Sequence, residues 1–225
     1  MPKTVRCQAL AKENMKEEFI HDESFIIEQF EKHLNLFKEH LQQVDDVKNY
    51  TTLWSNAFLE SYPFQYEMNQ LPTVKLFRRK PINQLGKIES RLINNKVYFA
   101  KQIDNEIRNV SFYMEDKNRM ILRYVMRNNQ MLLSQINYLV IKDSNIQKRI
   151  YFMRDEKDAE TFMVDIYEYD ESCRIHSINR NGYYKGKSKI LPERVFQFEY
   201  NDNNVEIYSK QLISTGLNEI KIFPK

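Results

Sequence analysis

At 225 residues the chain can form one large domain or two small ones, and its 42% hydrophobic share supplies a substantial core. A charged share of 29% and a mean hydropathy of -0.66 describe a very polar exterior, and no run approaches the roughly 18 apolar residues of a membrane-spanning helix. The net charge of +3 conceals an asymmetry: Glu13 to Asp46 holds ten acidic residues against three lysines, whereas Lys75 to Lys101 holds eight Lys/Arg against Glu89 alone. Such stretches either neutralise each other or offer opposite charge to different partners.

The opening Met1-Pro2-Lys3-Thr4-Val5-Arg6-Cys7 lacks the apolar core of a secretory signal, so a cytoplasmic protein is expected. Cys7 and Cys173 are far apart and read as free thiols in a reducing compartment. Good helix formers over Ala9 to Ile20 predict a first helix at about 8–20. Asp22 or Ser24 can cap a second. Ile27, Phe30, Leu34, Phe37, Leu41 and Val44 then recur at alternating intervals of three and four, which predicts an amphipathic helix over 24–45 packed on a sheet. Trp54, Phe58 and Tyr62 fall on one face of a third predicted helix at 52–62, ended by Pro63, with Trp54 anchoring the helices to the sheet. Pro63, Pro72 and Pro81 mark residues 63–86 as a connector, with Val74-Lys75-Leu76-Phe77 as a short edge strand.

From Lys87 to Phe223 the period switches to two. Asn94-Asn95, Asp104-Asn105, Asp116-Lys117-Asn118, Asn128-Asn129 and Asp143-Ser144-Asn145 divide Tyr-, Phe-, Ile- and Val-rich runs. Asp155 to Asp158, Asp170-Glu171-Ser172, Asn181-Gly182, Asn201 to Asn204 and Gly216 to Asn218 continue the series. With only four glycines in the chain, Asn takes the left-handed turn positions. The spacing predicts about ten antiparallel strands in a meander, which must curl, close into a barrel or fold into two layers. The fold class expected is α+β: a helical region with connector over 1–86 and a meander over 87–225, forming one compact unit.

Tyr167-Glu168-Tyr169-Asp170-Glu171-Ser172-Cys173-Arg174-Ile175 resembles the YD repeat of Rhs-type polymorphic toxins, Y-x-Y-D-x-x-G-R-[IL], with Cys173 where the repeat has Gly. Tyr167, Tyr169, Asp170 and Arg174 carry the match. Degenerate copies stand at Phe198 to Asn204 and Phe112 to Asn118. Asn181-Gly182-Tyr183-Tyr184-Lys185-Gly186-Lys187 resembles the phrasing of MORN-variant repeats in some antitoxin-type proteins. These resemblances imply a companion of a polymorphic toxin system: an immunity protein, of the kind found in contact-dependent-inhibition and Rhs systems, that binds a cognate toxin domain and blocks it.

No Walker A, G-x-G-x-x-G, G-x-S-x-G or H-E-x-x-H pattern occurs. His33 and His40 lack the spacing of a helical metal pair and read as solvated helix residues. Cys173 and His176, three apart on a strand, would point to opposite faces. No catalytic residue, cofactor or metal is therefore expected. The expectation is a binding protein rather than an enzyme. Glu17, Glu18, Glu23, Glu28 and Glu31 form a candidate surface for a basic toxin, and Arg78, Arg79 and Lys80 one for an acidic partner. The basic 75–101 region, with Phe77, Tyr98 and Phe99 nearby, makes nucleic-acid binding the alternative. A barrel holding a small ligand is a further one.

Overall fold

The computed structural model describes the backbone of residues 3–104, 106–184, 189–201, 204–213 and 216–224. Two helices lead the chain, α1 (Lys3–His33) and α2 (Phe37–Asp45), followed by strand β1 (Thr51–Ser55), the one-turn helix α3 (Gln65–Met68) and strand β2 (Leu76–Phe77). Eleven strands then run in order: β3 (Lys87–Ile93), β4 (Lys96–Asp104), β5 (Glu106–Glu115), β6 (Arg119–Arg127), β7 (Gln130–Lys142) and β8 (Asn145–Arg154), continued by β9 (Glu160–Tyr169), β10 (Ile175–Tyr184), β11 (Lys189–Asn201), β12 (Asn204–Ile213) and β13 (Gly216–Phe223). Each strand from β3 to β13 pairs antiparallel with the next. β1 adds to the free side of β3, and β2 adds beyond β1. The sheet is open, with β13 and β2 as its edges, rather than a closed barrel.

Turn chemistry sets the register. Asn94-Asn95, Asn128-Asn129 and Asp143-Ser144 all have positive φ, between 49° and 65°, at both central positions of two-residue loops. That is the turn whose twist matches paired strands, and Asn and Asp tolerate it best. Two predicted breaks move. Asn181-Gly182 lies inside β10, at a register shift against β11, not at a turn. A Cβ on Gly182 would overlap the Phe162 carbonyl oxygen of β9, so glycine is there for close backbone approach. Gly216 to Asn218 begins β13, since Ile213 already pairs with Gly216.

Period-two alternation splits the sheet into two apolar faces. On one, Phe112, Leu122, Tyr124, Ile136, Ile150, Phe152, Phe162 and Val164 pack against Ile26, Phe30 and Val44 of the helices. Phe19 meets Phe162, Phe25 meets Tyr138 and Phe30 meets Phe152 edge-on, each at 4.9 Å. A fully buried Phe or Ile contributes roughly 1.5–3 kcal/mol, so these contacts hold α1 across β7 to β9. The predicted 24–45 stripe thus packs on the sheet, but the helix is not continuous there: α1 runs without a break from Lys3 through the predicted 8–20 segment to His33, and the chain turns at 34–36 before α2.

The predicted helix at 52–62 is absent. Thr51 to Ser55 is strand β1, paired with Leu92 to Ile88. The β-branched threonines and the unpaired backbone of β3 outweigh a helical spacing that rests on three aromatics. Trp54 is buried in that strand beside Phe77, away from the helices.

Residues 56–72 cross the other apolar face. Phe58 lies under Arg123 of β6, Tyr62 under Arg149 of β8, and Phe64 on Phe198 of β11. Tyr66 Oη donates to the carbonyl of Phe58, whose ring lies under Arg123 of β6, yet Tyr66 lines a crevice with Ile222 and Phe223 of β13. In a flat sheet β6 and β13 stand about 34 Å apart, at ~4.8 Å per strand. The sheet therefore curls around the 56–72 segment, with α1 and α2 on its outer side.

Candidate functional site

The curled inner face carries a charged ladder that sequence reasoning missed. Arg149 of β8 pairs in register with Asp165 of β9, and Asp165 with Arg180 of β10. Arg149 donates to Asp165 Oδ2 at 2.7 Å and, through Nε, to Asn137 Oδ1 of β7 at 2.8 Å. Arg180 Nε donates to Asp165 Oδ1 at 2.7 Å. Arg149 is 3% and Asp165 0% exposed. The Arg149 guanidinium stacks on Tyr62 at 4.1 Å and Tyr151 at 4.8 Å. Burial pushes the Asp165 carboxyl up, but Arg149 and Arg180 outweigh it and hold the group below the usual carboxylate range. Tyr167 points the same way, and its buried hydroxyl meets no partner among the described residues. The one available signal was parity: Arg149, Asp165 and Tyr167 sit at the strand positions opposite the helix-facing Ile150, Phe152 and Val164. Tyr62 seals the ladder from solvent, so its role is to fix register and to hold the 56–72 segment.

A second buried polar pair joins the helices. His33 Nδ1 lies 3.0 Å from His40 Nε2, and Tyr124 Oη donates to the His33 carbonyl at 2.5 Å. Both rings are buried, not solvated as expected. A continuous helix would separate residues seven apart by about 10 Å along its axis, so the turn at 34–36 is what lets the rings meet. Burial, with His40 and Lys32 nearby, lowers His33 to about 4, and burial also lowers His40. Among the described residues no three His, Cys, Asp or Glu side chains come together as a metal site.

The acidic helix face is largely engaged by the sheet. Lys148 of β8 contacts Glu18 and Asp22 at 2.9 Å, Arg154 contacts Glu31 at 2.8 Å, and Tyr183 donates to Glu23 at 2.5 Å. Glu28 is exposed, and the side chain of Glu17 lies outside the described residues. The cations that neutralise α1 are thus Lys148 and Arg154 of β8, and of the 75–101 stretch Arg91 reaches the acidic segment, at Asp45 of α2, 3.6 Å away.

The basic stretch is left uncompensated at its start. Lys75, Arg78, Arg79, Lys80 and Lys87 surround the β2 edge, and none has a carboxylate within ion-pair distance among the described residues, whereas Arg91 and Lys101 further on are tied to Glu89. Arg78, Arg79 and Lys80 are exposed and line a depression with Thr52, Trp54, Phe77 and Glu89, whose carboxylate is held by Arg91 and Lys101. Lys80 lies over the Trp54 ring at 5.8 Å and Lys87 over Phe77 at 5.6 Å. Leu71, Leu76, Ile82 and Leu85 are exposed beside them. Of the edge strand predicted over Val74 to Phe77, Leu76 and Phe77 form β2.

The YD-like motif forms the β9–β10 turn. Asp170 Oδ1 accepts from the Ser172 and Arg174 amides at 2.9 Å, and Oδ2 accepts from Arg174 Nε at 2.9 Å. Cys173 has φ 58°, a left-handed conformation that glycine adopts more readily than a residue with a Cβ. Tyr169 Oη donates to the Ile146 carbonyl at 2.8 Å, and Arg174 lies over Tyr200 at 4.5 Å. The same turn recurs between β8 and β9: Asp155 Oδ1 accepts from Lys157 and Ala159, and Asp158 has φ 56°. Of the MORN-like stretch, residues 185–187 lie outside the described residues.

No family model, no curated protein and no solved structure matches the chain. No helix among the described residues is long and apolar enough to cross a membrane.

Proposed function

We propose that this chain is a binding protein of the immunity type: it docks a cognate toxin domain through the β2 edge and blocks that partner sterically. The observation that carries the reading is the cluster of Lys75, Arg78, Arg79, Lys80 and Lys87, without a carboxylate partner among the described residues and bordered by the exposed Leu76, Ile82 and Leu85. A cationic rim beside apolar side chains fits an acidic protein surface, with the charges steering encounter and the apolar groups supplying contact. The acidic face of α1 is the weaker candidate because Glu18, Glu23 and Glu31 already have partners on the sheet.

The experiment is coexpression with the proteins encoded beside this one, followed by titration of any copurifying partner. Charge reversal at the edge, R78E/R79E/K80E, weakens the complex by at least about tenfold, in line with like-charge juxtaposition at an interface, whereas E28K leaves it unchanged. Failure to copurify with any neighbour, or a complex indifferent to the triple reversal, sinks the reading.

Nucleic-acid binding is the second reading, favoured by the cations themselves. Against it, Trp54 is buried and Lys80 and Lys87 lie over the rings of Trp54 and Phe77, so the depression offers no aromatic platform for stacking bases. A labelled single-stranded oligonucleotide bound at low salt, and released steeply as salt rises, would instead select this reading.

A further inference from the structure

The two edges of the sheet are built differently. β2 is two residues long and flanked by Pro72, Pro81 and cations of one sign, which discourages pairing with its own kind. β13 is eight residues long, and no strand pairs with its outer side among the described residues. Leu217 and Ile220 on it are 65% and 52% exposed. Its central charges, Glu219 and Lys221, are opposite in sign and flank Ile220 symmetrically.

We propose that β13 pairs antiparallel with β13 of a second copy about a two-fold axis through Ile220. In that register Ile220 stands opposite Ile220, Glu219 opposite Lys221, and Lys221 opposite Glu219. Asn218 stands opposite Ile222, where the shift between Ile207 and Tyr208 puts a bulge that ends the regular ladder. Shifting the strands by two residues places Glu219 opposite itself or Lys221 opposite itself, so charge selects one register. The pairs also extend existing ones. Lys210 contacts Glu219 at 3.0 Å and Glu206 contacts Lys221 at 2.6 Å. A lysine–glutamate–lysine–glutamate row then crosses four strands, two from each copy. The symmetry is isologous, so the pairing closes at two copies. One strand pair makes a small interface, and the association is of the weak class.

Sedimentation of the full chain from micromolar to near-millimolar concentration tests this. The unaltered protein shifts from monomer to dimer over that range. Glu219→Lys places lysine opposite Lys221 twice and Lys221→Glu places glutamate opposite Glu219 twice, so each alone dimerises at least about tenfold more weakly. Mixed together, the two variants restore the dimer, because each charge of one meets its opposite on the other. A protein that stays monomeric throughout, single variants that dimerise as well as the parent, or a mixture no better than its components overturns the proposal. Recovery on mixing separates loss of pairing from loss of folding.

Discussion

Asp170 and Cys173 divide the work of one turn. The aspartate supplies three acceptor contacts, and the cysteine takes a backbone conformation that costs a residue with a Cβ on the order of 1–2 kcal/mol. Cys173→Gly therefore leaves the urea midpoint unchanged or raised, while Cys173→Val lowers stability by about 1–2 kcal/mol because a β-branched residue fits that region worst. A lowered midpoint for the glycine variant would refute this account. The histidine pair makes a prediction in pH. His33 is held at about 4 in the folded chain, against an ordinary value of about 6.5. The unfolded chain thus binds protons that the folded one excludes, so the pair's contribution is intact above pH 6.5 and is lost as pH falls toward 4. Urea midpoints measured across that window fall with pH, and His40→Leu makes the fall shallower. An unchanged slope would place the acid sensitivity elsewhere.

At the scale of elements, the ladder from Asn137 to Arg180 links four consecutive strands and ties them to Tyr62. Among the described residues Asp165 is the one carboxylate that pairs with Arg149 and Arg180. Asp165→Asn leaves two buried guanidinium groups without a counter-charge and costs about 3–5 kcal/mol in denaturant unfolding. Replacing Arg149, Asp165 and Arg180 together by apolar residues of similar volume costs less, because no charge is then orphaned. A single variant milder than the triple one would show that the charges are solvated rather than sealed. Why α1 is one helix rather than two also belongs to this scale. No Pro or Gly interrupts Lys3 to His33, and the sheet supplies Lys148, Arg154 and Tyr183 to its Glu18-to-Glu31 half.

For the whole molecule, the meander was legible because its signals are local. Asn and Asp turn residues and period-two runs act over a few positions, and six of the ten predicted breaks fall between strands, while those centred on residue 105 and on 202–203 lie outside the described residues. The helix stripe was legible for the same reason. The turns read at Asn181-Gly182 and Gly216 to Asn218 failed because a glycine admitted for close approach looks the same in sequence as one admitted for a turn. The helix over 52–62 failed because an edge strand is made by the neighbour it joins, here β3. The buried role of His33 and His40 stayed hidden because it needs the bend at 34–36. The candidate edge was half legible: the sequence placed the cations, but not which of them Glu89 already holds.

By itself the sequence determined most of the strand limits from Lys87 on and which helix face is apolar, since steric preference and hydrophobic period act between near neighbours. Only the tertiary structure decided that the sheet curls without closing, that α1 spends its acids on β8 and β10, and that the cations around β2 and the length of β13 have no partner among the described residues. Those outcomes depend on which surfaces distant strands bring together.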